Sequence, residues 1–320
     1  MEKQIDTDPV FFFEQQINFI YKCEKQGKSP NTLKNYKTDL NCFNNFLKDN
    51  NWEPSKKSLS NSLIRHYAHF LDKKYSSDNS RRRRLQTLRN FFDFLLSQGE
   101  IPNNPVRSIP TSPKFLDIPR PISFKNLKKF WNHLTEEIDQ SKDLQKLIAF
   151  RNLVATLLIF KGGLKVSDLS CLKKSHIFLG KKPRVMITPP KRDPFSIPLP
   201  NEFNDFFVKY LDLLKTEMTK QNLEFEEVLF NANPYKILSG GLSPRGLEII
   251  FKEYSEKLKI ELTPRSLRQA CIFNWLKDKN EESIKEWMGV APSYNLKHYR
   301  EHLPKHVYSD FFFTEDFSQI

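Results

Sequence analysis

Apolar side chains recur at intervals of three and four residues through the first hundred positions, a pattern that predicts amphipathic helices. In the last of these stretches Leu85, Leu88, Phe92 and Leu95 follow one another at spacings of 3, 4 and 3. Such spacing places the four side chains in one stripe along a helix. The helices predicted in this region are Phe11–Cys23, Pro30–Leu47, Leu59–Lys74 and Arg81–Gln98.

The rest of the chain is also mostly periodic in the helical sense, with one interruption. Lys182–Ile187 and Phe195–Leu199 read as two short strands of a hairpin, and Lys191 lies in the turn between them. Further helices are predicted at Phe124–Thr135, Asp143–Phe160, Asn201–Gln221, Ser243–Leu258, Pro264–Lys279 and Ser283–Met288. The expected fold class is mainly α, with a helical N-terminal domain and an α+β C-terminal domain that carries a small β-hairpin.

A proline-rich segment predicts the boundary between two domains. Pro105, Pro110, Pro113, Pro119 and Pro121 follow one another closely, and proline excludes helix while stiffening a connection. A chain of 320 residues is also long for a single core, since cores usually stop growing at about 250–300 residues. The predicted division is residues 8–108, a linker at 109–122, and residues 123–320.

The charge of the chain favours a polyanionic partner. Lys and Arg number 51 against 38 Asp and Glu, which gives a formal net charge of +13. A surplus of this size makes nucleic acid the first partner to consider and an anionic membrane surface the second.

The cysteines and the hydropathy exclude several classes of protein. Cys23, Cys42, Cys171 and Cys271 are scattered without a C-x-x-C pair, so neither a metal site nor a disulfide framework is expected, and a reducing cytoplasm fits. The sequence contains no apolar run near the ~20 residues that a membrane span requires, and its start lacks a signal-peptide pattern.

Three short segments late in the chain carry the strongest functional signal. Residues 263–268 read TPRSLR, residues 287–290 read WMGV, and residues 297–299 read KHY. Tyr299 lies nine residues after Val290 and thirty-one after Arg268. This order and spacing resemble the C-terminal catalytic block of the tyrosine recombinases, which cut and rejoin DNA through a phosphotyrosyl bond.

Two upstream elements resemble the same family. Residues 162–169 read GGLKVSDL and are similar to the family's Gly-Leu-Arg-x-Ser-Glu-Leu turn into a helix, with Lys165 at the position of the first catalytic arginine. The family also carries a lysine on a β-hairpin, and Lys191 matches it, one residue out of the usual register. A hairpin loop of different length accounts for that shift.

The chain departs from the family pattern at three positions. Lys165 replaces an arginine, and a lysine cannot grip a phosphate bidentately. Arg265 stands where the family has His or Lys, and it cannot act as a neutral acid or base. Val290 is degenerate, because the family places a hydrogen-bond donor, His or Trp, there. Loss of one such donor typically costs about 10²–10³ in rate.

The N-terminal third resembles the family's arm domain, a helical SAM-like domain. Residues 29–36 read SPNTLKNY, in which Ser29 suits an N-cap and Pro30 the first helical position. Residues 84–92 and 101–106 resemble the end of that domain. The basic candidates for contact with the DNA backbone are Arg81, Arg82, Arg84 and Arg89. The alternative for this run is a solvated charged face.

The resemblance implies a chemistry for the matching residues. Tyr299 would attack the scissile phosphate, with Arg268, Lys165 and Arg265 holding its oxygens and Lys191 protonating the leaving 5′ oxygen. Neither metal nor cofactor would be needed. The implied partners are double-stranded DNA, enclosed by the two domains, and further protomers that form a tetramer on paired sites.

Two other interpretations remain open at this stage. The departures at Lys165, Arg265 and Val290 also suit a DNA-binding relative that is weakened or inactive in cleavage and acts as an accessory or architectural factor. An unrelated helical RNA-binding protein would leave the spacing from Arg268 to Tyr299 unexplained. Tyr294 and Tyr308 are alternative tyrosines that the family pattern does not support.

Overall fold

The computed structural model describes residues 9–53, 59–110, 119–189 and 193–302. The chain forms two compact units, Met1–Asp117 and Ile118–Ile320. The division falls between positions 109 and 122, where the proline pattern predicts a linker, and the finer domain bounds stay a prediction. Residues 111–118 of that linker lie outside the described residues.

The first unit is built from four helices and a 3-10 turn at Pro105–Ser108. The helices are α1 (Pro9–Lys25), α2 (Pro30–Asp49), α3 (Asn61–Lys74) and α4 (Asp78–Ser97). They match the four predicted helices to within a few residues at each end. The start of α2 follows from its sequence, because the Ser29 side chain accepts a hydrogen bond from the Thr32 backbone N–H at 3.2 Å and caps the helix.

Aromatic side chains fill the core of the first unit. Phe43, Tyr67, Phe91 and Phe92 are completely buried. The rings of Phe43 and Tyr67 meet edge to face with centroids 4.8 Å apart, an arrangement that adds to the burial of apolar area. The predicted stripe on α4 packs into this core, and all four of its side chains are buried.

The second unit is arranged around one helix that is buried along most of its length. Its helices are α5 (Phe124–Gln140), α6 (Asp143–Phe160), α7 (Val166–Ser170), α8 (Phe203–Lys220), α9 (Pro244–Leu258), α10 (Pro264–Asp278), α11 (Glu281–Trp287) and α12 (Lys297–Arg300). Helix α6 packs against α5, α8 and α10. Its apolar residues lie on all sides, as expected for a helix in the middle of a core.

Two small antiparallel sheets complete the second unit. The first has the order β1 (Ile177–Phe178), β2 (Arg184–Ile187), β3 (Phe195–Pro198), and it pairs Val185 with Ile197, both buried. The strands β2 and β3 confirm the predicted hairpin, while Lys191 lies outside the described residues. The second sheet pairs β4 (Phe230–Ala232) with β5 (Leu238–Gly240) and was not predicted. The mainly α fold class with a small sheet is confirmed.

Within the described ranges, no helix is long and apolar enough to cross a membrane. The same ranges contain no group of three or more His, Cys, Asp or Glu side chains placed to hold a metal ion.

Candidate active site

The site begins at a turn that requires glycine. Gly163 follows α6 with a φ of +62°, and an added Cβ would lie 2.4 Å from Cη2 of Trp275. Both the left-handed backbone and the close ring exclude other residues. The turn leads directly to Lys165, the N-cap residue of α7, whose backbone N–H donates to Oδ2 of Asp168 at 3.0 Å.

Arg268, in the second turn of α10, is held by two backbone carbonyls. Its Nε donates to the carbonyl oxygen of Gly163 at 2.6 Å, and its Nη2 donates to that of Met288 at 3.2 Å. A guanidinium has five N–H groups in a fixed plane. The two bonds therefore orient the plane and leave further donors for a ligand.

The carbonyl of Met288 is presented by the end of α11. Gly289, with a φ of +60°, donates its N–H to the carbonyl of Glu286 at 2.8 Å, and Val290 donates to that of Lys285 at 3.1 Å. This pair of bonds is a Schellman motif, which ends a helix at a left-handed glycine. The glycine of the WMGV segment thus sets the direction of a backbone group that Arg268 uses.

Lys165, Arg265 and Arg268 line one cleft of about 630 Å³. The cleft is bounded by the start of α7, the start of α10, and one side of α9, which contributes Glu248 and Lys252. Three sequence-predicted cations are therefore together, although Lys165 and Arg268 lie more than a hundred positions apart. Arg265 is exposed on the first turn of α10, a helix end that itself favours negative charge.

The degenerate position lies beside this arrangement. Val290 is half-buried and packs against the hydrophobic core. Its side chain has no hydrogen-bond donor, and its backbone N–H is bonded to the carbonyl of Lys285, so the position contributes packing.

Tyr299 lies on α12 and is half-buried. Its ring packs on Phe273 of α10 with centroids 5.6 Å apart. Arg268 is on the same helix α10, five positions before Phe273, but Tyr299 is not among the described residues that line the cleft. Tyr294 is exposed, and Tyr308 lies outside the described residues.

A buried thiol lies near the cleft without taking part in its chemistry. Cys271 is 1% exposed, its Sγ donates to the carbonyl oxygen of Lys161 at 3.4 Å, and burial raises the pKa of the thiol. A thiol that stays protonated is a poor nucleophile.

The predicted DNA-contact arginines of the first unit divide into two groups. Arg81 forms ion pairs with Asp72, at 3.6 Å, and with Asp78. Arg82 donates from Nη2 to Oδ1 of Asn79 at 2.8 Å. Both arginines are half-buried and line a depression of about 450 Å³ between α3 and α4.

Arg84 and Arg89 have partners inside the first unit. Arg84 is 9% exposed, and its guanidinium lies 3.7 Å from the ring centroid of Tyr75. Arg89 donates from Nη2 to the carbonyl oxygen of Ile109 at 2.5 Å and from Nε to that of Val106 at 3.3 Å. These contacts tie α4 to its own unit. Arg84 is therefore not part of a solvated face, and its contact with DNA stays a prediction.

Sequence reasoning could have found the burial of Arg84, because the residue shares a helical face with apolar positions. Leu88, Phe91 and Leu95 follow it at steps of four, seven and eleven, and all three are buried. Glu248 and Lys252, four positions apart on α9, were missed as cleft residues, and two exposed charges on one helix face are the corresponding signal.

The sequence of this chain was compared with protein families and with known proteins. The model of the phage integrase N-terminal SAM-like domain matches residues 19–99. Tyrosine recombinase XerD of Listeria monocytogenes serovar 1/2a is 23% identical over 280 residues, which cover 83% of this chain and 86% of the relative.

Solved structures share the fold. A lambda integrase (75–356) dimer bound to a COC′ core site superposes with a TM-score of 0.66 and 16% identity, covering 93% of this chain and 98% of that one. A lambda integrase tetramer bound to a Holliday junction gives a TM-score of 0.64 and 14% identity, covering 89% and 79%. The matching N-terminal domain, the Xer relatives along most of the chain and the shared fold agree, and this chain is similar to the tyrosine recombinases.

Proposed function

We propose that the protein is a site-specific recombinase that binds duplex DNA and exchanges strands through a phosphotyrosyl bond to Tyr299. The observation that carries this proposal is the cleft in which Lys165, Arg265 and Arg268 meet. Charge accumulates on the phosphate oxygens during attack, and preorganised cationic donors stabilise that charge. Similarity to the tyrosine recombinases supports the same chemistry.

In the proposed reaction the phenolic oxygen of Tyr299 attacks the phosphorus, and its proton is released to water. The bond between phosphorus and the 5′ oxygen of the next nucleotide breaks as the new bond forms. Lys191 supplies the proton that the leaving oxygen takes. Attack by a 5′ hydroxyl of another strand reverses these steps and rejoins the DNA, so the bond energy is kept in the phosphotyrosine and the scheme uses no metal or nucleotide cofactor.

The cations divide the work of holding the phosphate. Arg268, oriented by the carbonyls of Gly163 and Met288, donates to the oxygens with its remaining N–H groups. Arg265 adds a second guanidinium from the first turn of α10. Lys165 acts as a point charge at the start of α7.

We assign the first unit a role in binding the DNA backbone, through Arg81 and Arg82. Both line the depression between α3 and α4, and contacts of this kind position a protein without reading bases. The net charge of +13 supports a duplex partner. Assembly of several protomers on DNA is proposed by likeness to the lambda integrase dimer and tetramer. The unpaired cysteines fit a cytoplasmic location.

One observation favours a second candidate, a DNA-binding relative that cleaves weakly or not at all. Val290 supplies no side-chain donor where the family uses one, and Lys165 supplies a point charge instead of a bidentate grip. Such a protein would keep the DNA-binding surface and act as an accessory or architectural factor.

Trapping on a nicked duplex separates the two candidates. A duplex with a nick beside the scissile phosphate, taken from a selected binding site, loses its short 5′ fragment on cleavage and cannot be rejoined. We expect wild-type protein to form a covalent complex that survives denaturing electrophoresis and is absent in Tyr299→Phe. Tyr294→Phe is the matched control and should trap as wild type does. Trapping that persists in Tyr299→Phe contradicts the nucleophile, and tight binding without trapping supports the second candidate.

A further inference from the structure

The wall of the cleft formed by α9 carries charges that the family pattern did not indicate. Lys252 and Glu248 line the cleft four positions apart, so they lie one above the other on the same face of the helix. The cleft is therefore lined by four basic side chains and one acidic side chain. The additional cation, Lys252, is 70% exposed at its side chain.

In the absence of a ligand, Lys252 is paired along its own helix. Its Nζ lies 3.3 Å from Oε1 of Glu256, one turn further on, and both side chains are well exposed. Exposed pairs of this kind are worth at most about 1 kcal/mol. A phosphate oxygen in the cleft can therefore compete for the ammonium.

The part of α9 that carries Lys252 is held in place by a network of hydrogen bonds to the neighbouring helices. Tyr254, two residues on, donates from its hydroxyl to Oε2 of Glu137 at 2.5 Å and accepts from Nδ2 of Asn152 at 2.8 Å. Arg151 in turn donates to Oδ1 of Asn152 from Nη2 at 2.8 Å. The network joins α9 to α5 and α6, so the Lys252 stem starts from a fixed point and only its side chain must reorient.

We propose that Lys252 is a further phosphate-binding residue of this cleft, exchanging Glu256 for a phosphate oxygen. The proposal rests on the proposed function of the cleft. Lys252 would supply an additional cation to a site in which Lys165 provides a point charge and Val290 provides no side-chain donor. Glu248 lies on the same wall of the cleft, and its negative charge repels the phosphate and limits how tightly the ground state is bound.

The direct test uses inorganic phosphate as the probe and thermal unfolding of the full chain as the readout, at constant ionic strength with chloride as the reference anion. A ligand that binds the folded state raises the unfolding temperature by an amount that grows with the logarithm of its concentration relative to Kd. We expect Lys252→Ala to weaken phosphate binding about tenfold, as expected for loss of one charge-assisted hydrogen bond. Lys252→Arg should retain binding.

The control is Lys257→Ala, which removes an exposed lysine from the same helix outside the cleft lining. It should leave the phosphate response unchanged. Glu256→Gln, which removes the competing carboxylate, should strengthen phosphate binding. The inference is overturned if the wild type shows no phosphate response, or if Lys252→Ala responds as wild type does.

Cleavage of the nicked duplex is measured on the wild type and on the same variants. This measurement tests the proposed recombinase activity separately from the role of Lys252 in phosphate binding. A phosphate response that depends on Lys252, with no covalent complex in the wild type, keeps the binding role and removes the recombinase activity. A covalent complex that forms equally in Lys252→Ala, with an undiminished phosphate response, removes the role of Lys252 and keeps the activity.

Discussion

The two units use arginine in opposite ways. On α4 of the first unit, Arg84 is buried against the ring of Tyr75 and close to Asp39, and it serves the packing of that unit. In the second unit, Arg268 is held by the carbonyls of Gly163 and Met288 but still lines an open cleft. The same residue type is structural in one place and available to a ligand in the other.

The difference follows from how open each guanidinium is to a ligand, since Arg84 is 9% exposed and Arg268 lines the cleft. A buried charge must recover the solvation that it loses, and Arg84 does so with an aromatic face, the carbonyl of Ser80 and the nearby carboxylate of Asp39. The two carbonyls that hold Arg268 fix its orientation and leave N–H groups for an incoming phosphate. A fixed guanidinium that faces an open cleft is what distinguishes Arg268 from the buried Arg84.

The largest effect is expected from Arg268→Ala. Removing an oriented donor should lower the cleavage rate by about 10²–10³. The carbonyls of Gly163 and Met288 would lose their partner, which costs about 1–3 kcal/mol of stability if they stay buried. Single-turnover cleavage and urea unfolding measure the two effects. Arg265→Ala, at an exposed position, is the control and should lower the cleavage rate with little change in stability. An unchanged cleavage rate in Arg268→Ala would contradict the role of Arg268 in binding the scissile phosphate.

A smaller effect, on stability alone, is expected from Arg84→Ala. The change removes the cation from the Tyr75 ring and from the neighbourhood of buried Asp39, which should cost roughly 2 kcal/mol. Urea unfolding of the variant and of Arg82→Ala, measured together, provides the comparison. If the stability of Arg84→Ala matches that of wild type while its DNA affinity falls, Arg84 belongs with the binding arginines and the contrast between the units fails.

The smallest effect is expected from Arg82→Ala, and it should appear in DNA binding. Loss of one phosphate contact should reduce the slope of log K against log salt by about 0.9, similarly for unrelated duplexes. Titrations at several salt concentrations on two unrelated sequences measure this. A loss confined to one sequence would show that Arg82 reads bases, and an unchanged slope would remove it from the DNA interface.

Helices were predictable because their signal is local. The apolar spacing of three and four residues, the serine cap before Pro30 and the left-handed glycine after α11 are all written in neighbouring residues. The strands β4 and β5 were missed because three residues are too few to show alternation. Their pairing depends on a tertiary context that no short window contains.

The cleft was predictable only in part. The family spacing indicated Lys165, Arg265 and Arg268, and the structure brings the three together. Nothing in the spacing indicated that Gly163 and Met288 would hold Arg268, since these are backbone groups that any sequence possesses. Lys252 and Glu248 carry a weaker signal, two exposed charges on one helix face, because α9 has several exposed charges and the sequence does not say which of them face the cleft.

The sequence by itself determined the mainly helical fold, the net charge of +13 and the resemblance to the tyrosine recombinases, because periodicity, composition and motif spacing are properties of the linear chain. The tertiary structure decided which cations are buried in contacts within the protein and which line a cleft that is open to a ligand. That outcome depends on burial and on the direction of single carbonyls, and residues far apart in sequence set both. Arg84 and Arg268 look alike in the sequence, and their surroundings alone separate them.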